Sequence, residues 1–291
     1  MKQILLRIIG VIIFLISILL MSYPFISNYL MSLNHQSEIV EYEADMADKD
    51  KQLLEKERAA AQLYNKNLFG TVVITDPFDP NAQIEKSEEY ENLLNLSNNG
   101  VMASIEIPKI DVNLPIYHGT SDVVLHKGVG HLQQTSLPVG GIGTHSVLTG
   151  HTGLSAARLF TELDQLVEDD IFYIKSLAET MAYKIDQIKV VLPNVTDDLR
   201  IDASKDYVTL VTCTPYGINS HRLLVRGIRI PYQEAEELTN SITSVEFEST
   251  WMKEYKRALI SGGIIFLIII FVYITIKLVL KKRRQKSEDR K

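Results

Sequence analysis

The sequence predicts a mostly β domain, a closed or nearly closed barrel with a few short helices, set between two apolar membrane segments. Three observations carry that reading. Between Ala103 and Ile230, short runs rich in β-branched and aromatic residues alternate with turn signals, the pattern of a small barrel or a sandwich. Nearly charge-free apolar runs occupy both ends of the chain, Ile8 to Tyr23 and Ala258 to Ile276. Between the first of these and the barrel region, Ser37 to Asn67 is charged, rich in Ala, Glu, Lys and Leu, and free of Pro and Gly, so it is helical by composition.

Taken in order, Ile8 to Tyr23 follows Lys2 and Arg7 and precedes Pro24. A signal peptide shares the charged start and apolar middle, but Ser22-Tyr23-Pro24-Phe25-Ile26 offers no small-x-small cleavage site, so residues 1–26 read as an uncleaved anchor. Ser37 to Asn67 then forms one long helix or two short ones, and residues 27–69 read as a solvated stalk that lifts the domain off the membrane. Gly70 ends the helical pattern. Thr71 to Pro80 holds two prolines and cannot stay regular for long, so residues 70–86 are a loop with a turn at Asp76-Pro77-Phe78. Ser87 to Leu96 is a short helix closed by Asn98-Asn99-Gly100.

The barrel region, residues 87–235, supplies strand candidates at Ala103–Ile107, Leu114–Tyr117, Ser146–Thr149, Ile171–Ile174, Ala182–Leu192, Tyr207–Thr212 and Leu223–Ile230. Ile105 and Ile107 flank Glu106, as in a half-buried strand. Helical stretches are expected near Asp122–Leu125 and Ala156–Leu166. Residues 236–257 link the domain to a membrane segment at 258–280 and a basic tail at 281–291. Lys281-Lys282-Arg283-Arg284 outweighs Lys253, Lys256 and Arg257 on the other flank, so the C-terminus is expected in the cytoplasm. If both apolar runs span, both termini are cytoplasmic and roughly residues 25–255 face outside.

Of 30 basic and 36 acidic side chains, ten and two lie in the terminal segments 1–7 and 277–291, which leaves residues 8–276 at a formal −14. Such a body does not bind nucleic acid by charge, and no stretch in it reads as a phosphate-cradling loop or a zinc motif. His118, His126, His131 and His145 share no metal-ligand spacing and read as loop or surface residues; no metal and no cofactor is expected.

The chemistry concentrates around the single cysteine. Val208, Leu210 and Val211 make a buried strand that delivers Cys213 to the rim of a sheet, where Pro215 and Gly217 stop it. A lone Cys in a strand is equally a small buried hydrophobe. Yet a domain outside the cell with one cysteine forms no internal disulfide, which makes the thiol a candidate reactive group. A second strand begins with Arg222 nine residues later, and a hairpin would put that cation beside Cys213, lowering the thiol pKa and holding an oxyanion. Upstream, a short apolar strand ends at Gly150-His151-Thr152-Gly153, whose glycines let the chain turn sharply and leave the imidazole exposed. His221 alternates away from Arg222 and ranks below His151 as a base.

The segment TLVTCTPYGINSHRLLVRG (209–227) resembles the active-site segment of class C, pilus-assembling sortases, and LTGHTGLSAARLFTELDQL (148–166) is similar to the family's segment around its catalytic histidine. The resemblance covers about Leu94 to Pro231 and implies a closed sortase β-barrel. It also implies that Cys213 is the nucleophile, His151 the general acid/base and Arg222 the oxyanion and substrate-positioning group. By the same resemblance Asp76, Pro77 and Phe78 form the lid of a class C enzyme, with Phe78 where the pattern often has Trp. Asp76 would pair with Arg222 while Phe78 packs over the sulfur, and a shielded charge-assisted pair of about 1.5–3 kcal/mol leaves such a lid openable.

The implied reaction is transpeptidation at an LPxTG-like sorting signal, between Thr and Gly. The acyl group would pass to a lysine amine of a pilin subunit, or, in a wall-anchoring sortase, to a peptidoglycan precursor. The partners implied are pilins or other surface proteins with such C-terminal signals, and the membrane. A papain-like hydrolase fits less well, because its thiol sits at a helix N-terminus with His downstream. A membrane-anchored binding module with a structural triad is the non-enzyme alternative.

Overall fold

A computed structural model describes residues 2–68, 74–79, 87–154, 157–241 and 249–288. Residues 1–247 and 248–291 form two separate units.

The first unit is built on a closed barrel of eight strands. These are β1 (Ala103–Ile107), β2 (Val112–His118), β3 (Val129–His131), β4 (Thr144–Thr149), β5 (Ile171–Ser176), β6 (Glu179–Val191), β7 (Asp206–Thr214) and β8 (His221–Ile230). The order around the barrel is β1-β2-β3-β4-β7-β8-β6-β5, closed by an antiparallel β1/β5 pair. Most neighbours are antiparallel, but β2 pairs with β3 and β4 with β7 in parallel. Closure leaves no open sheet edge. One interior contact shows how tightly the wall is filled: Phe172 and Tyr183 stack with ring centroids 5.5 Å apart, and the Phe172 ring lies where a Cβ on Gly227 would be, 2.5 Å away. A side chain there would expel the ring.

All seven strand candidates are present, most of them longer than the sequence reading. β3 was not among them. It is three residues long with a glycine in the middle, too short to alternate, and it exists because β2 and β4 flank it. Ala156–Leu166, expected helical, instead forms turns with a single 3₁₀ turn at Leu163–Gln165 among its described residues. His131 and His145, expected at loops or the surface, are buried. His131 is bonded to Tyr90 Oη and the Ser136 carbonyl, His145 to Thr209 Oγ1 and the Arg200 carbonyl, and burial lowers their pKa values to about 3 and about 4. Both are neutral structural residues.

Helix α1 runs unbroken from Lys2 to Asp48, through Pro24, and α2 follows at Lys51–Leu68. The stalk expectation is corrected here. Tyr42, Met46, Leu54, Ala61 and Tyr64 recur at helical spacing and are buried in the main core, so this pair of helices lies on the barrel instead of standing clear of it. Tyr42 Oη donates to the Met102 carbonyl and accepts from the Leu177 N–H, which fixes α1 to the start of the barrel. Nearer the apolar N-terminal stretch, Asn28 Oδ1 accepts from the Arg158 N–H at 3.0 Å, and His35 Nε2 donates to the Lys127 carbonyl. Short helices α3 (Glu88–Asn92) and α4 (Asp122–Lys127) are capped by Ser87 and Ser121, and α5 (Tyr232–Ser241) lies on β5 and β6.

In the second unit α6 spans Thr250–Glu288. Its apolar stretch and that of α1 expose apolar side chains on every side, and each is long and apolar enough to cross a bilayer.

Candidate active site

The site is assembled by strand register. β7 and β8 pair with Cys213 directly opposite Arg222, which in an antiparallel pair puts both side chains on one face. On the other side β4 pairs with β7 in parallel, Thr149 opposite Val211. His151, two residues past Thr149, is therefore level with Cys213, two residues past Val211. Two hydrogen bonds extend the pairing beyond the strand: Gly150 N–H donates to the Val211 carbonyl at 3.1 Å, and Thr212 Oγ1 donates to the Gly150 carbonyl at 2.7 Å. Gly150 is required by packing, because a Cβ would fall 2.7 Å from the Phe160 ring. The His151 carbonyl accepts from the Phe160 N–H, which closes the loop behind the imidazole.

Of the segment expected to form a lid, residues 70–86, Ile74 to Asp79 are described; residues 70–73 and 80–86 lie outside the described residues. Asp76 grips Arg222 with both oxygens, Nε to Oδ1 at 2.8 Å and Nη2 to Oδ2 at 2.6 Å, and the two side chains are only 12% and 11% exposed. Arg222 Nη1 donates to the carbonyls of Asn219 and His221, so the guanidinium is held at its full fork. Phe78 has its ring 5.0 Å from the Arg222 guanidinium carbon and 5.6 Å from the His151 ring centroid. The Asp79 N–H donates to the Asp76 carbonyl and closes the turn over Pro77. Thr196 Oγ1 donates to the Ile74 carbonyl, and Ile74 and Phe78 pack on Leu132, Val147, Leu199, Val211 and Leu224.

Electrostatics follow from this enclosure. Burial raises the Cys213 pKa above its ordinary value, Arg222 opposes the rise, and the Asp76 carboxylate adds to it. Burial lowers the His151 pKa, and neighbouring His126 lowers it further. Thiol and imidazole are thus both held in their neutral forms, and His151 Nε2 is buried with no hydrogen-bond partner among the described residues. A thiol, an imidazole and a fixed cation are together, and an acid and an aromatic ring sit among them, a set able to support nucleophilic catalysis. His221 bonds only locally, its Nδ1 2.9 Å from Ser220 Oγ.

The sequence reading set His126 aside as a loop or surface residue, and it lies exposed on α4. Its ring meets that of His151 edge-on at 5.1 Å. The available signal was the Asp122-x-x-x-His126 spacing, which puts both residues on one face of α4.

A sortase-domain family model matches residues 105–230. The crystal structure of sortase C-1 from Actinomyces oris is 51% identical, with a TM-score of 0.57, over 61% of this chain and 99% of that one. The chain belongs to the sortase family. A structure titled as a pilus-related sortase C of Group B Streptococcus is 42% identical, with a TM-score of 0.61, over 66% of this chain and 97% of that one. Sortase A of Streptococcus agalactiae is 29% identical over 39% of this chain and 47% of its own length. The sortase is of class C, its barrel is the sortase fold, and it is a cysteine transpeptidase; the non-enzyme reading is thereby corrected.

Proposed function

We propose that this sortase polymerises pilins and rests in a closed, self-inhibited state. The observation that carries the reading is the Asp76-Pro77-Phe78 turn seated on Arg222 and His151, where a substrate carbonyl and its leaving group would have to lie.

In the open state the Cys213 thiol passes its proton to His151, and Sγ, now a thiolate, attacks the Thr carbonyl of an LPxTG-like signal. Charge moves onto the carbonyl oxygen, where Arg222, freed from Asp76, holds it. The Thr–Gly bond breaks as His151 protonates the departing Gly amine, leaving a thioacyl enzyme. A pilin lysine amine then attacks that carbonyl, His151 takes its proton, and the isopeptide product leaves Cys213 as thiolate. Lid opening serves chemistry twice: it clears the space and it removes the Asp76 charge that disfavours the thiolate.

Identity of 42% to a structure titled as pilus-related favours a lysine acceptor over a peptidoglycan precursor. Both termini face the cytoplasm in this reading, with the barrel outside. The Asn28–Arg158 bond ties the loop after His151 to α1 just beyond its apolar stretch, so the site works close to the bilayer from which sorting signals emerge.

The test is to give the full chain in detergent a signal peptide together with two acceptors, a lysine-bearing pilin fragment and a peptidoglycan-type diglycyl or branched peptide. Fragmentation mass spectrometry locates the new bond. A Thr carbonyl joined to a lysine Nζ is the expected product; joining only to the cross-bridge peptide would transfer the chain to the anchoring reading.

A further inference from the structure

Two residues that the transpeptidation does not use, Asp122 and His126, lie beside His151. Asp122 and His126 are one turn apart on α4, and His126 meets His151 across the loop. One ligand atom from each of Asp122, His126 and His151 lies within 4.8 Å of the other two. His126 Nδ1 is 2.8 Å from the Asp122 carbonyl oxygen. The same Nδ1 lies 3.4 Å from Asp122 Oδ1; a carbonyl only accepts, so Nδ1 carries a proton and Nε2 is the nitrogen left to ligate. That is how metal-binding histidines are commonly oriented, the second nitrogen donating to a backbone carbonyl.

The partner in this set is itself unsatisfied. Among the described residues, His151 Nε2 has no hydrogen-bond acceptor or donor. The α4 backbone is anchored from the opposite side, where the Lys127 carbonyl accepts from His35 and the Lys127 ammonium lies 3.3 Å from Glu38 and 4.1 Å from the Tyr117 ring centroid. The ligands themselves can adjust, since the Asp122 and His126 side chains are 86% and 55% exposed. Bond lengths of about 2.0–2.1 Å in a tetrahedral site put ligand atoms about 3.3 Å apart, so closure needs side-chain movements on the order of 1 Å.

We propose that Asp122, His126 and His151 bind a divalent transition-metal ion, with Zn²⁺ the best match, and that the bound ion withdraws His151 from proton transfer. Two imidazoles and one carboxylate suit zinc and its neighbours and disfavour Mg²⁺ or Ca²⁺, which require oxygen ligands. Three protein ligands leave a position for water. No bond is made or broken beyond coordination. Inhibition rests on the proposed role of His151, whereas binding does not, and the two are measured separately.

The full chain in detergent is titrated calorimetrically with ZnCl₂ and, separately, MgCl₂. One Zn²⁺ per chain and no Mg²⁺ uptake is expected. His126→Ala and Asp122→Asn should each weaken zinc binding at least about tenfold, and Cys213→Ala should bind as the wild type does. Binding that survives His126→Ala, that disappears with Cys213→Ala, or that is absent from the wild type overturns the site. In parallel, transpeptidation is measured with and without zinc, and the ratio is taken within each variant. A ratio well below one for the wild type and near one for His126→Ala supports inhibition. Zinc bound at the three residues with an undiminished rate upholds the site and overturns both the inhibition and the assignment of His151 as proton carrier.

Discussion

The barrel wall and the lid segment hold the same few side chains in two different ways. In the wall, Cys213 and Arg222 are opposite each other because β7 and β8 are paired along their whole lengths, and His151 is brought level by the β4/β7 ladder. Each position is enforced by many bonds at once, so none can shift without the sheet shifting. Residues 74–79 instead hold on through separable side-chain contacts, among them the Asp76–Arg222 ion pair, bonds from Thr75 to Gln134 and from Thr196 to the Ile74 carbonyl, a turn bond and the packing of Ile74 and Phe78. On the proposed reading, catalytic geometry is built into the paired strands and its control into the separately held turn.

The sharpest way to break the wall half of the comparison is chemical. Cys213→Ala should abolish the thioacyl adduct and transfer together, a loss of at least about 10⁴-fold, while thermal unfolding stays near wild type. Arg222→Ala should cost about 10²–10³-fold in the acylation rate, because an oxyanion donor is lost, and it should release the lid as well. Steady-state transfer and a lid-sensitive alkylation rate, measured on the same variant, separate those two effects.

Smaller changes are expected from the lid. Asp76→Ala removes a shielded charge-assisted pair of about 1.5–3 kcal/mol, so the open population and the alkylation of Cys213 by iodoacetamide should rise about 10- to 100-fold. The sign of its pH effect is fixed by the charges around the thiol. Burial and Asp76 push the Cys213 pKa up and Arg222 pulls it down, so removing Asp76 and relieving burial both lower it. The midpoint of the alkylation pH profile should therefore move to lower pH in Asp76→Ala. Phe78→Ala should act in the same direction through burial alone and leave the Asp76–Arg222 pair in place.

The smallest effect belongs to the attachment of α1. Tyr42→Phe loses hydrogen bonds to Met102 and Leu177, and should lower unfolding stability by about 1 kcal/mol per bond with little change in alkylation. A change in alkylation as large as that from Asp76→Ala would show that the lid and the helix are one cooperative unit, contrary to the comparison drawn above.

How far the sequence disclosed all this follows the same division. The strands around Cys213 and Arg222 were legible because the apolar and β-branched runs at 207–212 and 223–230 and a nine-residue spacing leave little choice of hairpin. β3 was illegible, since Val129-Gly130-His131 is a strand only by virtue of its neighbours. The stripe Tyr42, Met46, Leu54, Ala61 and Tyr64 is present in the sequence, but the surrounding charge gave the block the look of a free stalk, and Pro24 looked like a boundary where the helix in fact runs through. His126 escaped because its partner His151 is 25 residues away and the loop that brings them together has no periodic signature.

The most direct test of the account is the rate at which the full chain in detergent forms a thioacyl adduct with an LPxTG-like peptide, followed by intact mass spectrometry in wild type, Cys213→Ala and Asp76→Ala/Phe78→Ala. A slow adduct in the wild type, none without Cys213 and one formed at least about tenfold faster in the double variant is the predicted result. Equal rates in wild type and double variant would contradict a closed resting state, and an adduct that persists in Cys213→Ala would contradict the assignment of the nucleophile.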